Sequence, residues 1–334
     1  MLNLGETPDR LQAKRSAAQI GFFLLFALAP VFDILRIDLV AGHAVILGME
    51  WRLGIDAFLA GGIGAGEMAA NLFLRLFLPL AAAAGLLLLV AWRWGRLYCG
   101  WLCPHFAVVE TINDLMRRAT GKPSLWDRQA LPACHADGSP ISRDRAWWLV
   151  LLPTAVIVGF VWAVVLLGYL LPPVEVYGNL IALSPTRNQA LFISVATAVL
   201  TAEFLLARHL FCRFGCAVGV FQSLLWMANR DAMVVGFARR RAAHCADCYA
   251  ADGPGHAVCE GVCPMRLRPR LAKRKMFTCT QCGQCLTACA TVEMGRGREP
   301  LLRWIEDEAA RQNEAPVSLI GRRDEAPAAA RGED

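Results

Sequence analysis

The sequence predicts a membrane α-helical protein that ends in a small, cysteine-rich α+β module. Three observations predict this fold class. Hydrophobic residues make up 56% of the 334 residues, above the roughly 45–50% of a soluble domain. They are concentrated in four long blocks, and eight of the 13 cysteines fall between Cys245 and Cys289. The length of the chain and its apolar blocks exclude a small secreted domain held together by disulfides.

Four apolar blocks are predicted to cross the membrane, because the bilayer core needs about 20 apolar residues per helix. The third block is the clearest, since it contains no charged residue, whereas the first carries Asp33 and the fourth carries Glu203. No cleavage site of the small-x-small type follows the first block, so we expect it to remain as a span. The predicted spans are about 17–35, 76–92, 147–171 and 190–207.

Basic residues predict the orientation of these spans. The loop between spans two and three holds eight Lys and Arg residues, whereas the loop between spans three and four holds only Arg187. Basic loops stay in the cytoplasm, which places both termini inside and gives two membrane hairpins. Residues 1–16 are then a cytoplasmic tail, and 17–209 form the membrane domain.

A cysteine motif repeats at the inner ends of spans two and four. Cys99 and Cys103 follow span two in "RLYCGWLCP", and Cys212 and Cys216 follow span four in "HLFCRFGCA". Both units run in the same direction, so the sequence predicts a parallel repeat.

These four thiols allow three interpretations. They could be two redox-active dithiols, or a shared soft-metal site for Cu(I), zinc or an iron–sulfur cluster, or packed small residues. The last is the least favoured, because the cysteines are placed alike in both units. Glu203 is a further catalytic candidate, since an acid within a membrane segment marks function by default; pairing with a neighbouring arginine is the alternative. His105 and His209 flank the motifs as candidate ligands or proton relays.

The cysteines from Cys245 onward have iron–sulfur spacing. The run Cys279-x2-Cys282-x2-Cys285-x3-Cys289 is that of a bacterial [4Fe–4S] ferredoxin, in which the last cysteine of each run serves the other cluster. The first run is interrupted by ten residues after Cys248, and paired zinc sites are the alternative. The predicted ligand sets are Cys279, Cys282, Cys285 and Cys263 for one cluster, and Cys245, Cys248, Cys259 and Cys289 for the other.

The remaining boundaries follow from composition. Residues 210–240 are predicted to hold the second thiol pair and an interfacial segment, 241–300 to form a ferredoxin-type domain, and 301–334 to be a charged, disordered tail. The basic segment 266–275 would lie near anionic lipid headgroups or bind an acidic redox partner. No nucleotide or flavin motif is visible, and no nucleic-acid partner is expected.

"YCGWLCP" after a span, a second Cys-x3-Cys after a later span and a two-cluster module resemble the membrane polyferredoxin family. Its branches include the NapH type, the C-terminal half of the NosR type and the CcoG (FixG, RdxA) type. "FQSLLWMANRDAMVV" is most similar to the CcoG branch, whereas "CGWLCP" is closer to the other two. Ala217 replaces the proline of the second motif, and the C-terminal domain of the CcoG branch is missing.

The resemblance implies an inner-membrane protein that moves single electrons at the cytoplasmic face. A CcoG-like role would be reduction of Cu(II) to Cu(I) at the paired thiols during cytochrome oxidase assembly. A NapH- or NosR-like role would be quinol oxidation, as part of a quinol dehydrogenase. An assembly factor with structural or sensory clusters is a third hypothesis. The implied partners are membrane lipid and a redox protein: a ferredoxin-like donor, an oxidase assembly factor or a reductase subunit.

Overall fold

The computed structural model describes residues 8–40, 42–127, 130–248 and 257–314. Long helices form a bundle, and the cysteine-rich module packs against one end of it. The chain begins with helix α1 (Pro8–Leu28), followed by a three-stranded antiparallel sheet in the order β1-β2-β3. Its strands are β1 (Leu35–Asp38), β2 (His43–Ile46) and β3 (Met49–Trp51). The sequence did not predict this sheet.

The helices of the bundle follow in chain order, with one short helix, α5, at the thiol motif of the first unit. They are α2 (Ile55–Leu59), α3 (Ala65–Leu72), α4 (Leu78–Trp94), α5 (Leu97–Trp101), α6 (Pro104–Thr120), α7 (Trp148–Gly168), α8 (Pro173–Ile181) and α9 (Arg187–Ala202). A π-helical segment joins α3 to α4, and another extends α9 to Ala207.

Three helical stretches among the described residues are long and apolar enough to cross a membrane: Ala65–Trp94, Arg145–Gly168 and Arg187–Ala207. Together they contain nearly all of the second, third and fourth predicted spans. The stretch that contains the second span, Ala65–Trp94, is much longer than the predicted 76–92. The first predicted span, 17–35, is not among them. Its helix, α1, begins at Pro8, has several charged residues in its first turns, and ends at Leu28, before the predicted end of the span.

Helix α1 nevertheless packs along α7. The rings of Phe23 and Phe26 contact Trp162, and the Tyr169 hydroxyl donates to the Phe26 carbonyl oxygen at 2.8 Å. Helices α7 and α9 approach closely at Gly159, where a Cβ would lie 2.9 Å from Thr201 Oγ1. Small residues permit such close packing between membrane helices.

The module begins earlier and ends later than its predicted bounds of 241–300. Strand β4 (Val234–Phe237) pairs antiparallel with β5 (Leu302–Ile305), and α13 (Asp307–Glu314) follows. The predicted interfacial segment 210–240 therefore divides between α10 (Ala217–Ala228), which packs against α4, and this ladder. Each of these four-residue strands is stable only when paired with the other. The local composition of neither segment indicates this pairing.

The predicted tail over 301–334 is thus ordered up to Glu314, and residues 315–334 lie outside the described part of the chain. The predicted N-terminal tail is likewise helical from Pro8, and residues 1–7 are outside the description. Two further helices complete the module, α11 (Val258–Gly261) and α12 (Gln284–Met294). Its core joins both strands to α10 through the fully buried Trp226.

Lys273 links the module to the end of α10. Its ammonium donates to the carbonyl oxygens of Trp226 (2.6 Å) and Asn229 (2.5 Å) and lies 4.8 Å from the centre of the Trp226 ring. A cation near a helix C-terminus interacts favourably with the last carbonyl groups. This buried lysine therefore fastens the module to the bundle.

Lys273→Met is expected to destabilise the protein by about 1–3 kcal/mol, because it leaves two buried carbonyl groups without a donor. Thermal unfolding of the detergent-solubilised protein measures the change. Lys275→Met, at an exposed position two residues away, is the control. An equal loss of stability in both variants would contradict the role given to Lys273.

Candidate functional site

Four cysteines line a cavity on the side of the module that faces the helices. They are Cys263, Cys279, Cys282 and Cys285, and the cavity has an empty volume of about 390 Å³. Apolar side chains such as Met265 and Met276 complete its wall. We call it the proximal cavity. Its four thiols are one of the two ligand sets that the cysteine spacing predicts.

The other four cysteines of the module line a second cavity of about 280 Å³, which we call the distal cavity. Cys285 and Cys289 both lie on α12, yet the first faces the proximal and the second the distal cavity. Residues 249–256, eight of the ten that interrupt the first run, lie outside the described residues. The distal set is Cys245, Cys248, Cys259 and Cys289.

Both sets of thiols are buried among apolar groups. Burial raises the pKa of Cys263 and of Cys279 to about 12, and that of Cys248 and of Cys259 to about 12 as well. Such thiols become thiolates only beside a positive group, and iron provides one. Four cysteines around each cavity fit the ligand set of a [4Fe–4S] cluster.

Hydrogen-bond donors also point at the sulfur atoms. The Leu267 N–H lies 3.3 Å from Cys263 Sγ, and the Arg270 guanidinium lies 3.4 Å from Cys245 Sγ. Donors of this kind tune the potential of an iron–sulfur cluster. The loop over the proximal cavity turns through two left-handed residues, Gln281 (φ 55°) and Gly283 (φ 74°), just before α12 begins.

The first membrane motif packs directly on this loop. Gly100 lies so close that a Cβ would be 2.2 Å from the Thr280 carbonyl oxygen, and the Trp101 indole donates to the Gln281 carbonyl oxygen at 3.0 Å. Only a residue without a side chain permits this approach. The glycine between Cys99 and Cys103 thus places the thiol motif against the proximal cavity.

Two buried arginines secure this contact. Neither was among the functional residues that the sequence predicted. Arg96 is 1% exposed and donates to the Cys212 carbonyl oxygen at 2.8 Å. Arg15 donates to the Gly100 carbonyl oxygen at 2.7 Å and forms an ion pair with Glu110. The position of Arg96 could have indicated its role, because it directly precedes "LYC" at the end of an apolar block.

The first cysteine of each unit contacts the helix that follows the other unit's motif. Cys99 Sγ lies 3.2 Å from Gln222 Oε1 on α10, and Cys212 Sγ lies 3.5 Å from His105 Nδ1 on α6. Cys99 and Cys212 are both 7% exposed. The second cysteines, Cys103 and Cys216, precede the first residues of α6 and α10. Residues 211–215 form a π-helical turn, so the second motif ends its helix without the proline of the first.

Glu203 pairs with a histidine rather than with the neighbouring Arg208. Its Oε2 lies 2.9 Å from His105 Nε2, so the arginine pairing that we considered from the sequence is wrong. The catalytic role predicted for Glu203 stays a prediction. His209 is buried, and burial lowers its pKa to about 3. The roles as metal ligand or proton relay that the sequence offered for His209 stay predictions.

Among the described residues, no three His, Cys, Asp or Glu side chains lie close enough to bind one metal ion. This holds for the eight cysteines of the module, which surround cavities instead. It also holds for Cys99, Cys103, Cys212 and Cys216. The copper site predicted at these four thiols stays a prediction.

The chain is similar to a known domain family and to two known proteins. The family described as "4Fe-4S binding domain" matches residues 76–123 and 188–241. The putative electron transport protein YccM of Escherichia coli (strain K12) is 25% identical over 218 residues, which cover 64% of this chain and 55% of YccM. The regulatory protein NosR of Pseudomonas aeruginosa is 29% identical over 178 residues, 53% of this chain and 20% of NosR.

The matched domain and both relatives support the predicted polyferredoxin-type membrane family, without resolving its branch. The chain thus spans about half the length of YccM and a fifth of NosR. No solved structure matches it significantly. The matched domain is one that binds iron–sulfur clusters, and the three apolar helices suggest a membrane protein.

Gly100→Ala is expected to push α5 away from the proximal cavity, because the new methyl group would clash with the Thr280 carbonyl oxygen. Overpacking costs about 1–3 kcal/mol. Labelling of the proximal cysteines by a maleimide under native conditions, followed by mass spectrometry, should therefore become faster. Gly85→Ala is the control, since its Cβ would meet nothing within 4 Å. Unchanged labelling in Gly100→Ala would show that the contact does not hold the loop.

Proposed function

We propose that this protein carries single electrons between a partner in the membrane and a soluble partner in the cytoplasm, through two [4Fe–4S] clusters. The observation that carries the proposal is the pair of four-cysteine cavities in a module packed on the ends of the membrane helices. One cluster would be held by the proximal and one by the distal cysteines. When bound, each cluster supplies a one-electron redox centre.

The proposed topology keeps both termini and the module inside, with α1 as a fourth span. The contacts of α1 support this. Arg15 binds Gly100 at the end of the bundle that carries the thiols, whereas the carbonyl of Phe26 meets Tyr169 just beyond the last residue of α7. Helix α1 therefore extends along α7 from the thiol end toward its far end.

A soluble partner would meet the basic segment 266–275. Arg266 and Arg270 form internal ion pairs, with Asp127 and Glu260, and Lys273 is buried. Arg268, Arg274 and Lys275 are exposed. Positive charge on this face favours an acidic redox protein.

Single variants of the module test the cluster assignment. Cys282→Ala removes a thiol from the proximal cavity and Cys248→Ala one from the distal cavity. Each is expected to lose about four irons per chain while keeping the electron paramagnetic resonance signal of the other cluster. Cys134→Ala, outside both cavities, is the control. Iron content unaffected by either module variant would contradict the proposal.

An apolar groove between α7 and α9 favours quinol as the membrane partner. The groove has an empty volume of about 970 Å³ and is lined by residues that include Phe160, Thr197, Thr201 and Leu205. Among the described residues, the hydroxyls of Thr197 and Thr201 are buried without a hydrogen-bond partner. A quinol would place its isoprenoid tail on the apolar wall and its ring oxygens on these hydroxyls.

Thr197→Val/Thr201→Val is expected to slow the reduction of the clusters by quinol in proteoliposomes about thirtyfold, because two hydrogen bonds at about 1 kcal/mol each are lost. Cluster absorbance in stopped flow measures the rate. Thr154→Val, on α7 but outside the groove, is the matched control. If the double variant reacts as fast as the control, quinol does not use this groove.

A further inference from the structure

The two matched segments of the 4Fe-4S binding domain contain none of the eight cysteines of the module. Residues 76–123 contain Cys99 and Cys103, and residues 188–241 contain Cys212 and Cys216. These four are the only cysteines in either segment. The similarity to a cluster-binding domain therefore rests on segments whose thiols had no assigned cluster.

The structure brings these four thiols together at the end of the bundle. The crossed contacts of Cys99 with α10 and of Cys212 with α6 draw the two motifs onto each other. Cys103 packs into the same buried cluster as Cys212. The charge of Cys99 raises the pKa of Cys103 and of Cys212, and the charge of Cys216 raises the pKa of Cys99 and of Cys103.

The surroundings of the four thiols suit a group with several thiolate ligands. The guanidinium of Arg96 lies beside Cys99 and opposes the rise in its pKa that burial causes. The imidazole of His105, held by Glu203, can donate to Cys212 Sγ. Both are positioning groups that would stabilise thiolate sulfur.

The separation of the four thiols is compatible with a cluster. No three of them are close enough to share one ion, and the same is true of the cysteines around the proximal and distal cavities. In a cluster each thiolate binds a different iron, so the sulfur atoms stay apart. In this respect the four thiols are arranged like the two sets of the module, for which the cysteine spacing predicts clusters.

We propose that Cys99, Cys103, Cys212 and Cys216 hold a third iron–sulfur cluster, of the [4Fe–4S] type, at the junction of the membrane helices and the module. Each repeat unit contributes two ligands. This cluster lies beside the proximal one, because Cys103 and Cys212 share a buried cluster of side chains with Cys263 and Cys282. Its place as the membrane-side entry of the electron path rests on the proposed function, whereas its presence does not.

Iron and acid-labile sulfide are measured in the full-length protein, purified without oxygen. The expected content is about twelve irons per chain, since each cluster holds four. Cys99→Ala/Cys212→Ala should lower it to about eight. Cys134→Ala should keep all twelve, and Cys282→Ala should lose four irons together with a different electron paramagnetic resonance signal.

A titration of the wild-type protein with dithionite gives a second measurement that needs no variant. Three clusters take up about three electrons per chain, and two clusters take up two. Eight irons and two electrons in the wild type would overturn the third cluster and leave the proposed function standing. Zinc or copper lost from Cys99→Ala/Cys212→Ala, with iron unchanged, would also overturn it. Loss of iron in Cys99→Ala/Cys212→Ala but not in Cys282→Ala would instead contradict the two-cluster module.

Discussion

Arg96 joins the three parts of the molecule. It follows the helix that ends at Trp94, and its guanidinium donates to the carbonyl oxygens of Cys212 (2.8 Å) and Thr278 (3.5 Å). At 1% exposure its charge is out of water, and a buried charge without partners would cost several kcal/mol. The second thiol motif and the module must therefore keep these carbonyls turned toward Arg96, which fixes both relative to the bundle.

The space for this arginine comes from α10. A Cβ on Gly219 would lie 2.3 Å from Arg96 Nη2, so the guanidinium occupies the place of a side chain. The same charge lies near Cys99 and opposes the rise in its pKa caused by burial. One buried group thus contacts both repeat units, through the Cys212 carbonyl oxygen of one and the thiol of Cys99 in the other.

Local patterns in the sequence are enough to predict the apolar helices and the grouping of the module's cysteines. Apolar length located three of the helices, and cysteine spacing assigned the eight module thiols to the same two groups that surround the two cavities. Features that depend on residues far away in the chain were not predicted. Strand β4 is stable only against β5, about 65 residues later in the chain, and Glu203 meets His105 rather than its neighbour Arg208. A four-residue strand or a lone acid carries too little local information to specify a partner in another element.

The positions of the cysteines on α12 limit where control of electron flow can lie. Cys285 faces the proximal cavity and Cys289 the distal one, and four residues of helix separate them by about 6 Å along the axis. Clusters held by the two residues would be coupled through one rigid turn, so transfer between them involves no moving part. In the proposed electron path, the selection of partners would therefore occur at the two ends. At one end are the thiols and the groove between α7 and α9, and at the other is the charged surface of the module.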